Sequence, residues 1–186
     1  MTAPAQPVRT RILDAAEALV HELGVARLTL EATARAAGVS KGGLLYHFAS
    51  KEALLAGMMA RLATAISEDF DQGVAAQAPG PGRVARAMLD WALSPHGMAN
   101  EHLDRTIAVF LSAHHHDTAL LAPVRAVIER FREQIIHDGL PAGHGAAIMA
   151  ATDGLMMARM FGLYSLTDAQ RQAMHAALSR LLETSA

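Results

Sequence analysis

Apolar positions near the start of the chain recur every three or four residues. Ile12, Leu13, Ala16, Leu19, Val20 and Leu23 fall on one stripe of a helix over residues 10–23, and Gly24 ends it. A short connection leads to Thr29, whose hydroxyl suits the N-cap of a second helix over 30–37. Gly38 supplies a turn, Val39 points inward, and Ser40 caps a brief third helix that runs to Phe48. Ser50 opens a long helix over 51–76, which "QAPGPG" (77–82) breaks. Further helical stripes cover 83–93, 100–114, 119–137 with Pro123 in the first turn, 146–163, and 168–182 behind a Thr167 cap. No period-two alternation and no repeat interrupts them. The pattern predicts an all-α chain of about nine helices. A three-helix head over 1–51 precedes a helical body over 52–186.

Composition agrees. The chain has 186 residues, 52% of them hydrophobic, and alanine, leucine, methionine and arginine outweigh β-branched and aromatic types. That favours helix and a real core. There is no cysteine, which excludes disulfides, thiolate metal sites and thiol catalysis. The net charge is -2, so the molecule as a whole does not attract polyanions. The charge is uneven, however. Residues 1–51 carry six basic against four acidic groups, and the remainder ten against fourteen. Both lysines of the chain, Lys41 and Lys51, lie in "AAGVSKGGLLYHFASKEALL" (36–55). A small basic head on an acidic body points to a local anionic partner. The first residues lack a signal-peptide pattern, and Asp153 and Arg159 break the most apolar segment, 145–166. A cytoplasmic protein with no membrane partner is the expectation.

The same stretch holds an anomaly. Gly42 and Gly43 sit inside a short helix of an alanine-rich chain, although each interior glycine costs about 1 kcal/mol relative to alanine. Two short helices joined by a tight turn behind a longer helix form a helix-turn-helix, whose second helix enters the DNA major groove by its N-terminal residues. The first turn of a helix also offers free N–H groups and a positive dipole end to phosphate. With no Cβ at Gly42 and Gly43, the backbone can approach the duplex closely. Ser40 and Lys41 extend that surface. Thr29, Tyr46, His47 and Lys51 can reach flanking phosphates.

This stretch, with the helix before it, resembles the DNA-binding domain of the TetR/AcrR family of transcriptional regulators. The likeness covers residues 9–55, and its specific element is "GVSKG…LYHF…SKE.L". The resemblance implies DNA contacts from Thr29, Ser40, Lys41, Gly42, Leu45, Tyr46, His47 and Lys51. Gly43 stands where many members have a threonine or similar side chain, so one base reader is missing and DNA shape gains weight. Leu45 can meet a thymine methyl. Beyond Leu55 the likeness is of layout alone. It implies a homodimer through the last two helices, a double-stranded operator and a small-molecule effector, with no cofactor.

In the body, Met88, Trp91, Met98, His102, Phe110, Met149 and Phe161 are candidate effector contacts, since methionines suit an adaptable apolar cavity. Arg86, Arg105, Arg125 or Arg159 could hold one carboxylate. The run His114–His116 followed by Asp117 invites a metal reading, but consecutive helical residues point about 100° apart and cannot share one ion, so no metal site is expected. Ala146, Ala147, Ala150, Ala151, Gly154 and Ala158, with Leu155, Met156 and Met160 beside them, suit close helix approach across a dimer. The expected function is a repressor released from a palindromic operator by an apolar ligand. The alternatives are a helical enzyme with a histidine-rich site, for which no nucleophile-base set is visible, and a regulator or activator without a small ligand.

Overall fold

The structure is a computed structural model that describes residues 6–93 and 117–183, the Met160 side chain excepted. Among these residues there are eight α-helices, three 3-10 turns and no strand. The helices are α1 (Val8–Leu23), α2 (Leu30–Ala36), α3 (Lys41–His47), α4 (Lys51–Ala76), α5 (Arg83–Leu93), α6 (Ala122–Ile136), α7 (His144–Met160) and α8 (Asp168–Ser179). The sixth predicted helix, over 100–114, lies outside the described residues, as do Met98, His102, Phe110, Arg105 and His114–His116.

The described residues form two compact units, 6–63 with 117–124, and 64–93 with 125–183. In the first, α1 buries Ile12, Leu13, Ala16 and Val20 of its predicted stripe, whereas Leu19 is half-buried and Leu23, at the helix end, is exposed. Leu28, Leu44, Phe48, Leu54, Leu55 and Met58 are buried with it. The turns are built as read. Gly24 has φ 77° and Gly38 φ 65°, left-handed values that suit glycine. Thr29 Oγ1 accepts from Ala32 N (3.1 Å), Ser40 Oγ from Gly43 N (3.0 Å) and Ser50 Oγ from Ala53 N (3.1 Å). Each such cap stabilises its helix by about 1 kcal/mol. Gly57 is buried where α4 crosses Phe48. A Cβ there would stand 2.5 Å from the Phe48 ring, so the glycine sets how closely that ring packs.

Arg61, on α4, ties that helix to α1. Its Nε donates to Glu17 at 3.0 Å and its Nη1 to Asp14 at 2.5 Å. Burial opposes the Arg61 charge, but Glu17 and then Asp14 outweigh it and raise the guanidinium pKa above its ordinary value.

In the second unit, Phe70, Met88, Leu89, Phe131, Ile135 and Ile148 are buried. Phe70 stacks tilted on Phe131 with centroids 3.9 Å apart and meets Trp91 edge-on at 6.5 Å. Arg130 Nη1 pairs with Asp71 at 2.8 Å, and Arg130 Nη2 reaches Ser67 at 2.9 Å. Helix α7 differs from the expected 146–163 at both ends. It starts at His144, behind Gly143 in the left-handed region, and ends at Met160. There Gly162 turns left-handed (φ 61°), its N–H bonds Arg159 O and the Leu163 N–H bonds Ala158 O. That is a glycine C-cap, and it stops the helix short of Leu163. Before α6, a 3-10 turn over Thr118–Leu121 replaces the expected first helical residues, and Asp117 caps it by accepting from Ala119 N. Helix α8 opens with the full capping box of Thr167 and Gln170.

Candidate nucleic-acid interface

Helix α3 has one face in the core and one free. Leu44 and Phe48 are buried, whereas Lys41, Gly42, Leu45 and Tyr46 are exposed, Tyr46 to 86%. An exposed tyrosine and leucine one residue apart on a seven-residue helix are not explained by packing within the chain. Among the described residues the ring contact of Tyr46 is with His47, edge-on at 5.1 Å. Among the described residues nothing lies within 4 Å of where a Gly42 Cβ would stand. A side chain would therefore fit the free protein at this position, and its absence leaves bare backbone on the outer face. Gly43 differs, since its Cβ would meet Ser40 Oγ at 3.2 Å, so its lack of a side chain also serves the Ser40 cap.

The two lysines are already engaged. Lys41 Nζ pairs with Glu31 of α2 at 2.5 Å, both side chains being more than half exposed. This hydrogen bond is the main cause that lowers the Glu31 pKa below its ordinary value. Lys51 Nζ donates to Val25 O at 2.8 Å and is half-buried. An ammonium has three donors, so Lys51 can hold the loop after α1 and still offer a proton outward. Thr29 and Ser40 are exposed, and Gly43 and His47 half-buried. All nine sequence-predicted residues thus belong to one unit, at α2, α3 and the start of α4. Sequence reasoning missed Arg11, whose Nη2 donates to Gly38 O at 3.4 Å and steadies the turn. It also missed Glu31 as the partner of Lys41. The ten-residue separation of Glu31 and Lys41 gives no local signal.

In the second unit the predicted effector contacts scatter. Met88 and Met149 are buried, Trp91 donates Nε1–H to Asp69 at 2.6 Å, and Phe161 is 55% exposed. A cleft of about 340 Å³ opens instead between the C-terminal ends of α5 and α7, the 161–167 connection and α8. Ala92 and Leu93 adjoin Trp91 in the chain, and Gly162 adjoins Phe161, so the cleft begins one residue from two predicted positions. Arg86 is spent on the preceding loop, donating to Pro81 O and Ala78 O.

One contact chain has the residue types of a hydrolase triad. Ser179 Oγ lies 3.3 Å from His175 Nδ1, and His175 Nε2 lies 3.0 Å from Asp90 Oδ1. None of the three lines the cleft, and the serine and histidine sit one turn apart on a surface helix. The set ties α8 to α5. No group of three or more His, Asp or Glu side chains poised for a metal occurs among the described residues.

A family model described as "Bacterial regulatory proteins, tetR family" matches residues 12–58, and one described as "Tetracyclin repressor-like, C-terminal domain" matches residues 82–183. The chain belongs to the TetR family. Over residues 12–58 it is similar to bacterial regulatory proteins of that family. The regulator UidR of Escherichia coli K12 is 44% identical over 55 residues, 30% of this chain and 28% of UidR. The chain thus matches under a third of the length of that curated relative. SCO7518 of Streptomyces coelicolor A3(2) superposes with a TM-score of 0.70 at 25% identity, over 95% of this chain and 99% of that one. The multidrug binding protein EbrR, solved with malachite green, gives 0.66 at 24% identity over 95% and 98%, a likeness of fold. Among the described residues, no helix of this TetR-family protein is long and apolar enough to cross a membrane.

Proposed function

We propose that this TetR-family protein is a cytoplasmic, homodimeric repressor that leaves a near-palindromic operator when a small apolar molecule binds its helical body. The observation that carries the reading is the outer face of α3, where Lys41, bare Gly42, Leu45 and Tyr46 stand exposed side by side. Each head reads one half-site. Gly42 and Gly43 bring backbone to the groove wall, Leu45 touches a base, and Thr29, Ser40, Lys41, Tyr46, His47 and Lys51 hold phosphates. The ligand-bound state of EbrR supports an effector for the body. Helix α4 begins in the head at Lys51 and ends at Ala76, which suits it to carry the effector's influence.

The dimer is proposed through α7 and α8. Ala146, Ala147, Ala150, Gly154 and Met157 are exposed along α7, and Ala169, Ala173 and Ala176 along α8. These small residues let helices of two copies approach closely, whereas Ala158 is buried within its own chain. Two heads double the phosphate contacts and raise avidity.

The test is a gel-shift titration on DNA upstream of the protein's own gene, at two salt concentrations. Saturable, salt-sensitive retardation that survives competitor DNA supports an operator there. Retardation abolished equally by any competitor counts against it.

A further inference from the structure

An anion stands beside the face that the operator reading gives to DNA. Glu31, in the first turn of α2, pairs with Lys41 Nζ of α3 at 2.5 Å, and both side chains are 59% exposed. An exposed ion pair of this kind adds little to stability. Lys41 is followed on α3 by Gly42, Leu45 and Tyr46, all exposed. The Glu31 carboxylate is thus held out of the core, next to a side chain proposed to meet the duplex. Phosphate repels it, so against the sugar-phosphate backbone it would weaken binding on every sequence alike. A base edge is different. In the major groove the hydrogen-bond donors are the amino groups of cytosine (N4) and adenine (N6), whereas guanine and thymine present acceptors. The adenine amino group lies between two acceptors, its own N7 and thymine O4. The cytosine amino group has an acceptor on its guanine side alone. An ionised carboxylate only accepts, so it meets the least repulsion at cytosine.

From this we infer that Glu31 determines sequence specificity, its carboxylate accepting a hydrogen bond from the N4 amino group of one cytosine in each half-site. Lys41 is its positioning residue. An ammonium has three donors, so Lys41 holds the carboxylate with one and keeps the others for phosphate. The inference rests on the operator reading above and adds to it the base that is read. Glu31 acts by discrimination. Its repulsion from the duplex is offset where a cytosine stands and is felt in full at any other base.

The experiment is selection from a pool of randomised duplexes by the full-length protein, wild type and Glu31→Gln in parallel. Anisotropy titration of the selected duplex and of its single-base-pair variants follows. The amide keeps an acceptor but adds N–H donors, which suit the acceptors of the other bases. Wild type should select a palindromic consensus with one cytosine fixed in each half. Replacing that C·G pair by T·A should weaken wild-type binding about tenfold or more. Glu31→Gln should keep the rest of the consensus and lose less than about threefold for the same replacement. A wild-type consensus with no fixed cytosine overturns the inference without any variant. A variant that keeps the cytosine as strictly as wild type overturns it too. So does a variant that relaxes every position alike, since that is a structural effect. If wild type selects no consensus at all, the operator reading itself fails and takes the inference with it.

Discussion

Replacing Gly42 by alanine separates what the free protein wants from what its partner demands. In the free protein no described residue lies within 4 Å of the added Cβ, and the position is exposed. No clash opposes the change, and alanine restricts the unfolded chain while favouring helix. The first unit should therefore gain about 0.5–1 kcal/mol in stability. On the operator the same methyl group projects from the outer face of α3 into the proposed backbone contact. A methyl forced into a packed contact costs about 1–3 kcal/mol, so affinity should fall roughly tenfold per half-site, since 1.4 kcal/mol is tenfold. Urea unfolding followed by circular dichroism reads the first effect. Fluorescence anisotropy of a labelled operator duplex reads the second. A variant that is more stable and binds less is the expected pair. If Gly42→Ala binds operator as tightly as wild type, α3 does not bring this backbone to DNA and the contact map fails.

Gly57→Ala should do the reverse to stability. The added Cβ would stand 2.5 Å from the buried Phe48 ring, and overpacking of about 1–3 kcal/mol exceeds the roughly 1 kcal/mol gained in helix propensity. A lower urea midpoint is expected, and an unchanged one would show that Phe48 has room to move. Glu31→Gln frees Lys41 and removes an anion beside the proposed phosphates, so operator binding should tighten about two- to fivefold at low salt and converge on wild type at high salt. Equal affinity at low salt would place Lys41 away from phosphate. Desolvation raises the Asp153 carboxyl pKa above its ordinary value, so the native state favours the protonated form. Its stabilisation is complete below the unfolded pKa and is lost as pH rises through the folded one. Asp153→Asn should thus be more stable than wild type at neutral pH, and that advantage should vanish on acidification below about 3.9, the ordinary aspartate range. An advantage that does not change with pH would mean the carboxyl is not its source.

The sequence shows most clearly what acts over three or four residues. The Thr29, Ser40, Ser50 and Thr167 caps close rings with the N–H group three residues on, so residue type and spacing reveal them. Gly24 and Gly38 declare their turns for the same reason. Contacts between distant segments leave no such trace. Lys51 reaches Val25 O across 26 residues, and Arg61 reaches Glu17 across 44. The cleft is harder still, because its lining comes from the ends of three helices and a loop. Met88 and Met149 have the right chemistry for a pocket, yet they are buried in the interior. Hydrophobicity marks a residue as inward-facing without saying whether it faces a void or a neighbour. Phe161 shows the opposite failure. It reads as helical and apolar, but the Gly162 turn ends α7 before it and leaves the ring exposed.

Helix α4 runs unbroken for 26 residues, and the two units divide within it, after Ala63. There is no linker at that border. The border between Val124 and Arg125 also falls inside a helix, α6, so a unit could be exchanged between family members only by splicing inside helices, with the register kept. One residue inserted there would turn everything that follows by about 100°, and three or four would nearly restore the turn. Recombination between family members should therefore be tolerated where this count is kept and not where it is broken.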